Sequence, residues 1–350
     1  MSVPNRSRDD RLAIDDAPLR LRLQSLVRSF AECRVAVVGD IVADQFVYGE
    51  ISRVSREAPV LILRHERTET LPGGAANCAM NLAALGAKAT LIGAIGDDEA
   101  GRKVIDKLSA AGVACDSIIV IKGARTTTKV RILAGRAHAP RQQVIRVDYE
   151  GETPMNETSR QLLHANARDV FARSDAIVIS DYGYGIVSAE IAQSAQRAMA
   201  RGIPVVVDSR HRLFEFKGFT SATPNEAEVE DLCRERIAGI RRLEEIGEEL
   251  RQRLRYRALL ITRGGDGMLL LEAGRPPLHI PIVGSRDAVD VTGAGDTVIA
   301  TYTLALACGA PFSDAARLAN YAGSVVVMKR GTATVSTEEL LTVLAHESTG

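Results

Sequence analysis

A chain of 350 residues, 46% of them hydrophobic, has room for one large α/β domain or two ordinary ones. Its 44 basic and 44 acidic residues sum to a formal net charge of zero, so no whole-molecule field draws it to nucleic acid or anionic lipid, and the expected partners are small molecules. The N-terminal stretch MSVPNRSRDDRLAIDD is polar where a signal peptide needs an apolar core, no apolar run reaches the roughly 18 residues of a membrane span, and Cys33, Cys78, Cys115, Cys233 and Cys308 are scattered without a CxxC pair; the expectation is a cytoplasmic chain with no membrane contact, disulfide framework or zinc site.

Residues 1–15 read as disordered. Beyond them Leu19, Leu23, Leu26, Val27 and Phe30 recur at helical spacing behind Asp16 and Pro18, a cap and first turn, so residues 1–33 are expected to be a tail ending in a docking helix. The run RVAVVGD (34–40) is short, apolar and stopped by Gly-Asp, as a buried parallel strand ends at a functional loop. A helix after Gly74, the strand KATLIGAIG, a helix ending near Gly112, the strands DAIVISD and IPVVVDS with a helix between them, and ALLITRG behind a charged helix continue the alternation. Strands and helices in turn predict an α/β fold over 34–350: a doubly wound, mostly parallel sheet with helices on both faces. Two stretches break the rhythm, FVYGEISRVSREAPVLILRHERTETL (46–71) and TTTKVRILAGRAHAPRQQVIRVDYE (126–150). Their alternating polar and apolar residues, rich in Val, Ile and Thr, predict a small antiparallel sheet inserted as a lid over 44–72 and 124–150; two hairpins packed on the main body are the alternative.

In doubly wound folds ligands bind beyond the carboxyl ends of the strands. Those ends carry Asp40, Asp181, Asp208 and Thr262-Arg263-Gly264, so carboxylates gather on one rim, where they suit sugar hydroxyls or a metal, although a single strand-end Asp is as often a helix cap. A Walker A loop is excluded, because Gly96 to Gly101 is followed by Arg102 and Lys103 with no Ser or Thr, and VVGDIVAD is no dinucleotide fingerprint. DYGYG, with Gly183 and Gly185, is a weak match to anything.

The segment DVTGAGDTVIA (290–300) is the most informative. Behind it TVIATYTLALACG is apolar and ends in Gly309, a buried helix with its C-terminal glycine, which puts Asp296 in the first turn. Gly293, Ala294 and Gly295 leave their backbone N–H groups open to an anion such as phosphate at the positive end of that helix. A carboxylate there repels phosphate but is well placed to take a proton from an attacking hydroxyl; a plain helix cap is the competing reading. PGGAANCAMNLAALG (72–86) is a second glycine-led helix start, with Asn77 in its early turns, and TPNEAEVEDL (223–232) sets Asn225 and Glu228 at i, i+3 on one helical face, where they could hold Mg²⁺ through water.

Five ordered motifs, VVGD with its following Asp44, PGGAANCAMNLAALG, TPNEAE, TRGGDG and DVTGAGDT, resemble those of the ribokinase-like (PfkB type) carbohydrate kinases over residues 34 to 345. The resemblance implies an ATP- and Mg²⁺-dependent sugar kinase in which Asp296 is the catalytic base and Gly293, Ala294 and Gly295 form the anion hole. It also implies that Asn225 and Glu228 serve the magnesium-phosphate group, and that Thr262, Arg263, Gly264 and Gly267 with Asn320 belong to the nucleotide pocket. Asp40, Asp44, Gly73, Gly74, Asn77 and Asp181 are implied on the sugar side, and Asp290 and Thr292 match positions that in many relatives bind a monovalent cation such as K⁺. Within the family, GEISRVSREAPVLIL, TTTKVRIL, QQVIRVDYE and VISDYGYG are similar to the heptose kinases. That implies phosphorylation of O1 of D-glycero-β-D-manno-heptose 7-phosphate for the lipopolysaccharide core, in a free-standing form, since the chain ends at Gly350.

The residues suit a phosphorylated sugar, because Arg53, Arg56, Lys129, Arg131 and Arg146 concentrate cations in the two lid stretches, although exposed strands also carry such residues to blunt their edges. A fructokinase-like or nucleoside kinase, and a sugar-sensing regulator that keeps the fold without turnover, are the alternatives. A lid of few strands with one apolar face is poorly stable alone, so a homodimer is expected in which Val60, Ile62, Val130 and Ile132 are buried between two lids.

Overall fold

Valine- and isoleucine-rich runs stopped by Gly-Asp or Asp-Ser build the main sheet. The structure, a computed structural model, describes residues 17–135, 141–150, 155–284 and 288–346; the disorder expected of 1–15 lies outside them. Strand β1 (Arg34–Gly39) lies between β4 (Lys88–Gly96) and β8 (Ala176–Asp181), parallel to both. β5 (Ile118–Ile121) extends the sheet beyond β4, and β9 (Val205–Ser209), β10 (Ser221–Ala222) and β11 (Ala258–Thr262) extend it beyond β8, all parallel. β12 (Met268–Glu272) and β13 (Leu278–Ile280) close one edge antiparallel.

The parallel strands read as unbroken apolar runs because both faces are covered. Along β1, Val35 and Val37 belong to one buried cluster and Ala36 and Val38 to the other, the period of two that a strand imposes. The first cluster is completed by α1 (Ala17–Ser29), α2 (Ala75–Ala84), α3 (Glu99–Ala110), α8 (Ala294–Ala307), α9 (Phe312–Val326) and α10 (Thr337–His346). The second is completed by α4 (Glu157–Arg173), α5 (Ala189–Met199), α6 (Glu226–Cys233) and α7 (Ile240–Leu254). This is the doubly wound sheet that the alternation predicts. Helix α1 buries Leu23 and Val27, and its Arg22 Nη2 donates to Asp314 Oδ1 of α9 at 3.0 Å.

The two irregular stretches form a separate four-stranded sheet from β2 (Ile41–Val54), β3 (Leu61–Gly74), β6 (Thr128–Gly135) and β7 (Gln142–Tyr149), in the order β3-β2-β6-β7. It is mixed rather than antiparallel. The outer pairs are hairpins, but β2 and β6 run parallel, Ala43 opposite Thr128. The reason is where the chain leaves the main sheet: β1 and β5 are parallel and end on the same rim, so β2 and β6 both set out in the same direction and each returns by its own hairpin. No helix among the described residues is long and apolar enough to cross a membrane.

Candidate active site

Helix α8 is buried from Asp296 through Ala305. Its N-cap is Gly293, with φ 78°, and a Cβ there would come within 2.4 Å of Asn77 Nδ2, so left-handed backbone and close approach both require glycine. Gly295 differs: a Cβ would meet open space, which is the cleft itself. Ahead of Asp296, the start of α8 at Gly293 and Gly295 therefore presents backbone rather than side chains to whatever occupies the cleft.

Asp296 is 5% exposed. Asn77 Nδ2 of α2 donates to its Oδ2 at 2.8 Å, and the Tyr182 hydroxyl donates to its Oδ1 at 3.2 Å. Asn77 is itself held: Asn81 Nδ2 donates to its carbonyl oxygen at 3.0 Å, and Thr297 Oγ1 donates to Asn81 Oδ1 at 2.9 Å, so a buried polar ladder locks α2 to α8. Burial pushes the Asp296 carboxyl up to about 7, a rise that Asp44 adds to and that the Asn77 and Tyr182 hydrogen bonds oppose. A carboxylate that titrates near neutrality in a cleft wall has the properties of a general base.

The second sheet supplies the facing wall. Asp44, Lys129, Arg131 and Arg146 line the cleft with Asp296, whereas Arg53 and Arg56 are exposed on the far hairpin and do not. Each of these three lining cations, Lys129, Arg131 and Arg146, has an acidic partner. Arg131 pairs with the buried Asp44, Lys129 Nζ lies 3.1 Å from Glu150 Oε2 and 3.5 Å from Asp148 Oδ2, and Arg146 Nε lies 2.9 Å from Asp148 Oδ1. Asp44 is raised by burial despite Arg131.

Two of the strand-end acids turn away from the cleft. Asp40 accepts from the backbone N–H of Tyr182 (2.7 Å), Tyr184 (3.2 Å) and Ile186 (3.3 Å) and so fastens the DYGYG loop. Asp181 accepts from Ser209 Oγ at 2.7 Å and Arg212 Nη1 at 3.2 Å. Asp208 does line the cleft, beside Arg210, Thr223, Asn225 and Glu228. Burial, then Glu228 and Asp296, push its carboxyl well above the ordinary range. Asn225 and Glu228 form a capping box rather than a pair along one helical face: Asn225 is the N-cap of α6 and accepts from Glu228 N, while Asn225 N donates to Glu228 Oε2, both at 2.9 Å. Gly73 packs against the Asp44 carboxylate, and Gly74 lines the cleft.

A second, more apolar pocket adjoins the first at Thr262 and Gly295, so the N-terminus of α8 lies between the two. Gly264, Gly267, Met268, Val298 and Asn320 line it. Asn320 Nδ2 donates to Pro281 O at 2.7 Å. Arg263 is absent from both walls and faces Glu226 and Asp266. Asp290 accepts from Thr292 N at 2.9 Å and from Gly331 N at 2.8 Å, tying the loop before α8 to residue 331; Thr292 lines the cleft. Sequence reasoning missed Tyr182 and Arg210, which bear no motif of their own. Asp208 was legible only as one strand-end acid among three.

The sequence profile of the pfkB family carbohydrate kinases matches residues 33–339. Bifunctional protein HldE of Aeromonas hydrophila subsp. hydrophila is 40% identical over 322 residues, covering 91% of this chain and 65% of that protein. Bifunctional protein HldE of Pseudomonas aeruginosa is 41% identical over 319 residues, with the same shares covered. The chain thus spans just under two thirds of the length of these curated relatives. Among solved structures, Arabidopsis thaliana ribokinase complexed with ribose and ATP matches with a TM-score of 0.69 at 21% identity, over 89% of this chain and 98% of that one. Phosphofructokinase-2 from Escherichia coli in complex with potassium matches with a TM-score of 0.73 at 20% identity, over 90% and 99%. These structures share the fold.

Proposed function

The chain belongs to the pfkB family of carbohydrate kinases, phosphotransferases with an alcohol group as acceptor, and from that premise we propose that it phosphorylates O1 of D-glycero-β-D-manno-heptose 7-phosphate with ATP, in the cytoplasm, toward the lipopolysaccharide core. The observation that carries the acceptor is the wall of Lys129, Arg131 and Arg146 facing the same cleft as Asp296: one end of the sugar meets a base and the other meets cations. In this reading Asp296 receives the proton of the attacking hydroxyl, and Asn77 and Tyr182 hold its two oxygens in place while it does so. The backbone N–H groups of Gly293 to Gly295 face the charge that develops during transfer. ATP, when bound, supplies the phosphoryl group, with its base side in the apolar pocket beside Asn320 and Gly267. Glu228, Asn225 and Asp208 fit a Mg²⁺ ion, since the burial and, after it, the like charges of Glu228 and Asp296 that raise Asp208 are what a cation offsets; Asp290 and Thr292 are the proposed monovalent site.

A second reading within the family rests on the pairing of those cations. Asp44, Asp148 and Glu150 already neutralise the basic wall, which favours an uncharged sugar, as in a fructokinase-like enzyme. Turnover against a panel of phosphorylated and free sugars separates the two readings: comparable rates for free mannose or fructose and for heptose 7-phosphate would remove the heptose assignment and leave the kinase.

Tyr182→Phe removes one of the two hydrogen bonds that hold the Asp296 carboxyl down. The acidic limb of kcat/KM is expected to move up by about one unit, so that activity falls roughly fivefold at pH 7 and converges with wild type near pH 9. An unshifted limb would separate Tyr182 from the base.

We also propose a homodimer through the second sheet. Val60 is 55% exposed and Ile145 52%, and Ile62, Val130 and Ile132 are only half-buried in the single chain, an apolar area suited to a second copy of the same sheet. Sedimentation at micromolar concentration is expected to give a dimer; a monomer there contradicts the proposal.

A further inference from the structure

Two cysteines far apart in sequence meet at the end of α8 remote from the cleft. Cys308 is the C-cap of α8, Cys33 closes the turn before β1, and their Sγ atoms lie 3.0 Å apart. Both are free thiols, and a shift of about 1 Å brings them to the ~2.05 Å of a disulfide bond. We propose that Cys33 and Cys308 are a peroxide-oxidisable dithiol, a modification site that closes as an intramolecular disulfide.

Access and reactivity divide the pair. Cys33 is 7% exposed, whereas Cys308 is half-buried and meets solvent first. The hydrogen bond shared with Cys33, in which either sulfur can be the donor, lowers the Cys308 thiol with help from Ser29, against its own burial, the nearby Asp175 and the partial negative charge of the helix end on which it sits. The hydrogen bond shared with Cys308, then burial and the acidic neighbours Asp175 and Glu32, push Cys33 up. Arg34, beside Cys33, is paired with Asp175. Cys308, the more accessible of the two, is therefore the nucleophile and Cys33 the resolving thiol.

The Cys308 thiolate attacks one oxygen of hydrogen peroxide, the O–O bond breaks, and hydroxide leaves and is protonated to water, with Cys308 oxidised to a sulfenic acid. The Cys33 sulfur then attacks the sulfenyl sulfur, the S–O bond breaks, and the hydroxyl departs with the Cys33 proton as a second water. Two thiols and one peroxide give one disulfide and two waters. The bond ties the segment before β1 to α8 and closes a loop of most of the chain, which restricts the unfolded state. It lies about 18 Å along the helix from Asp296, at 1.5 Å per residue over 12 residues.

The test is peroxide treatment of the full native chain, followed by alkylation in denaturant and peptide mapping. Expected are the loss of two alkylatable thiols out of five, a crosslinked peptide pair carrying residues 33 and 308, reversal by dithiothreitol and a higher Tm for the oxidised form. In Cys33→Ser, Cys308 is expected to stop at the sulfenic acid, captured by dimedone; in Cys308→Ser, Cys33 is expected to survive the same treatment. Five intact thiols, sulfinic acid at Cys308 without a crosslink, or disulfides only between chains would each overturn the proposal. If a serine variant fails to fold, the wild-type peptide map decides alone.

Discussion

Asp296→Asn is expected to bind ATP as the wild type does while turning over roughly 10²- to 10⁴-fold more slowly, the range for loss of a general base. The shape is conserved, since an amide at this position can still accept from Asn77 and can donate to the Tyr182 hydroxyl, so the loss reports the missing base and not a collapsed cleft. Because the carboxyl titrates at about 7, wild-type kcat/KM is expected to rise with pH through that value, and the limb is expected to vanish in the variant. Near-normal turnover, measured as ADP release at saturating sugar, would remove Asp296 from the chemistry.

The same residue has a cost in stability with a definite sign. Its folded-state value lies above the 3.8 of an ordinary Asp, so its favourable contribution, that of the protonated carboxyl, is complete below about pH 4 and is lost as the pH rises through about 7. Asp296→Asn avoids that loss. Its Tm advantage over wild type is expected to grow between about pH 4 and 7 and to level off above 7, corresponding to at most about 4 kcal/mol for a shift of roughly three units. A Tm difference independent of pH would mean that Asp296 is not a strained, buried acid.

Lys129→Ala and Arg131→Ala together are expected to abolish most of the preference for the phosphorylated sugar while leaving ATP binding unchanged. A charge-assisted contact contributes about 1.5 to 3 kcal/mol when the cation is otherwise free. Here the phosphate must displace Asp44 from Arg131 and Glu150 or Asp148 from Lys129, so the lower figure applies to each. Two contacts at about 1.5 kcal/mol, with tenfold corresponding to about 1.4 kcal/mol, give roughly 10²-fold in kcat/KM between heptose 7-phosphate and the free heptose. If the double variant keeps that ratio, the 7-phosphate is read elsewhere in the cleft. If the wild type shows no such ratio, the neutral-sugar reading gains.

Periodicity alone specified the doubly wound sheet, because strands covered on both faces need continuous apolar runs and the helices over them need an apolar stripe, and both patterns are local. The glycine-led start of α8 with Asp296 in its first turn was equally local, since left-handed backbone at Gly293 and small residues at an anion-binding helix start leave a mark within a few positions. What the tertiary structure decided is which distant groups meet. Tyr182 and Asn77 reach Asp296 from other elements, Asp40 and Asp181 turn into loop fastening instead of the cleft, and Asp208 joins Glu228. The parallel pairing of β2 with β6 follows from two departures on one rim, which no alternation of residues within either segment encodes. Likewise the charge of a Lys or Arg is plain in the sequence, but its neutralisation by Asp44, Asp148 or Glu150 depends on strand register, and the meeting of Cys33 with Cys308 depends on helix length and packing. Composition and spacing record what each segment needs from its own backbone; the partner of a polar side chain is set only when the segments are brought together.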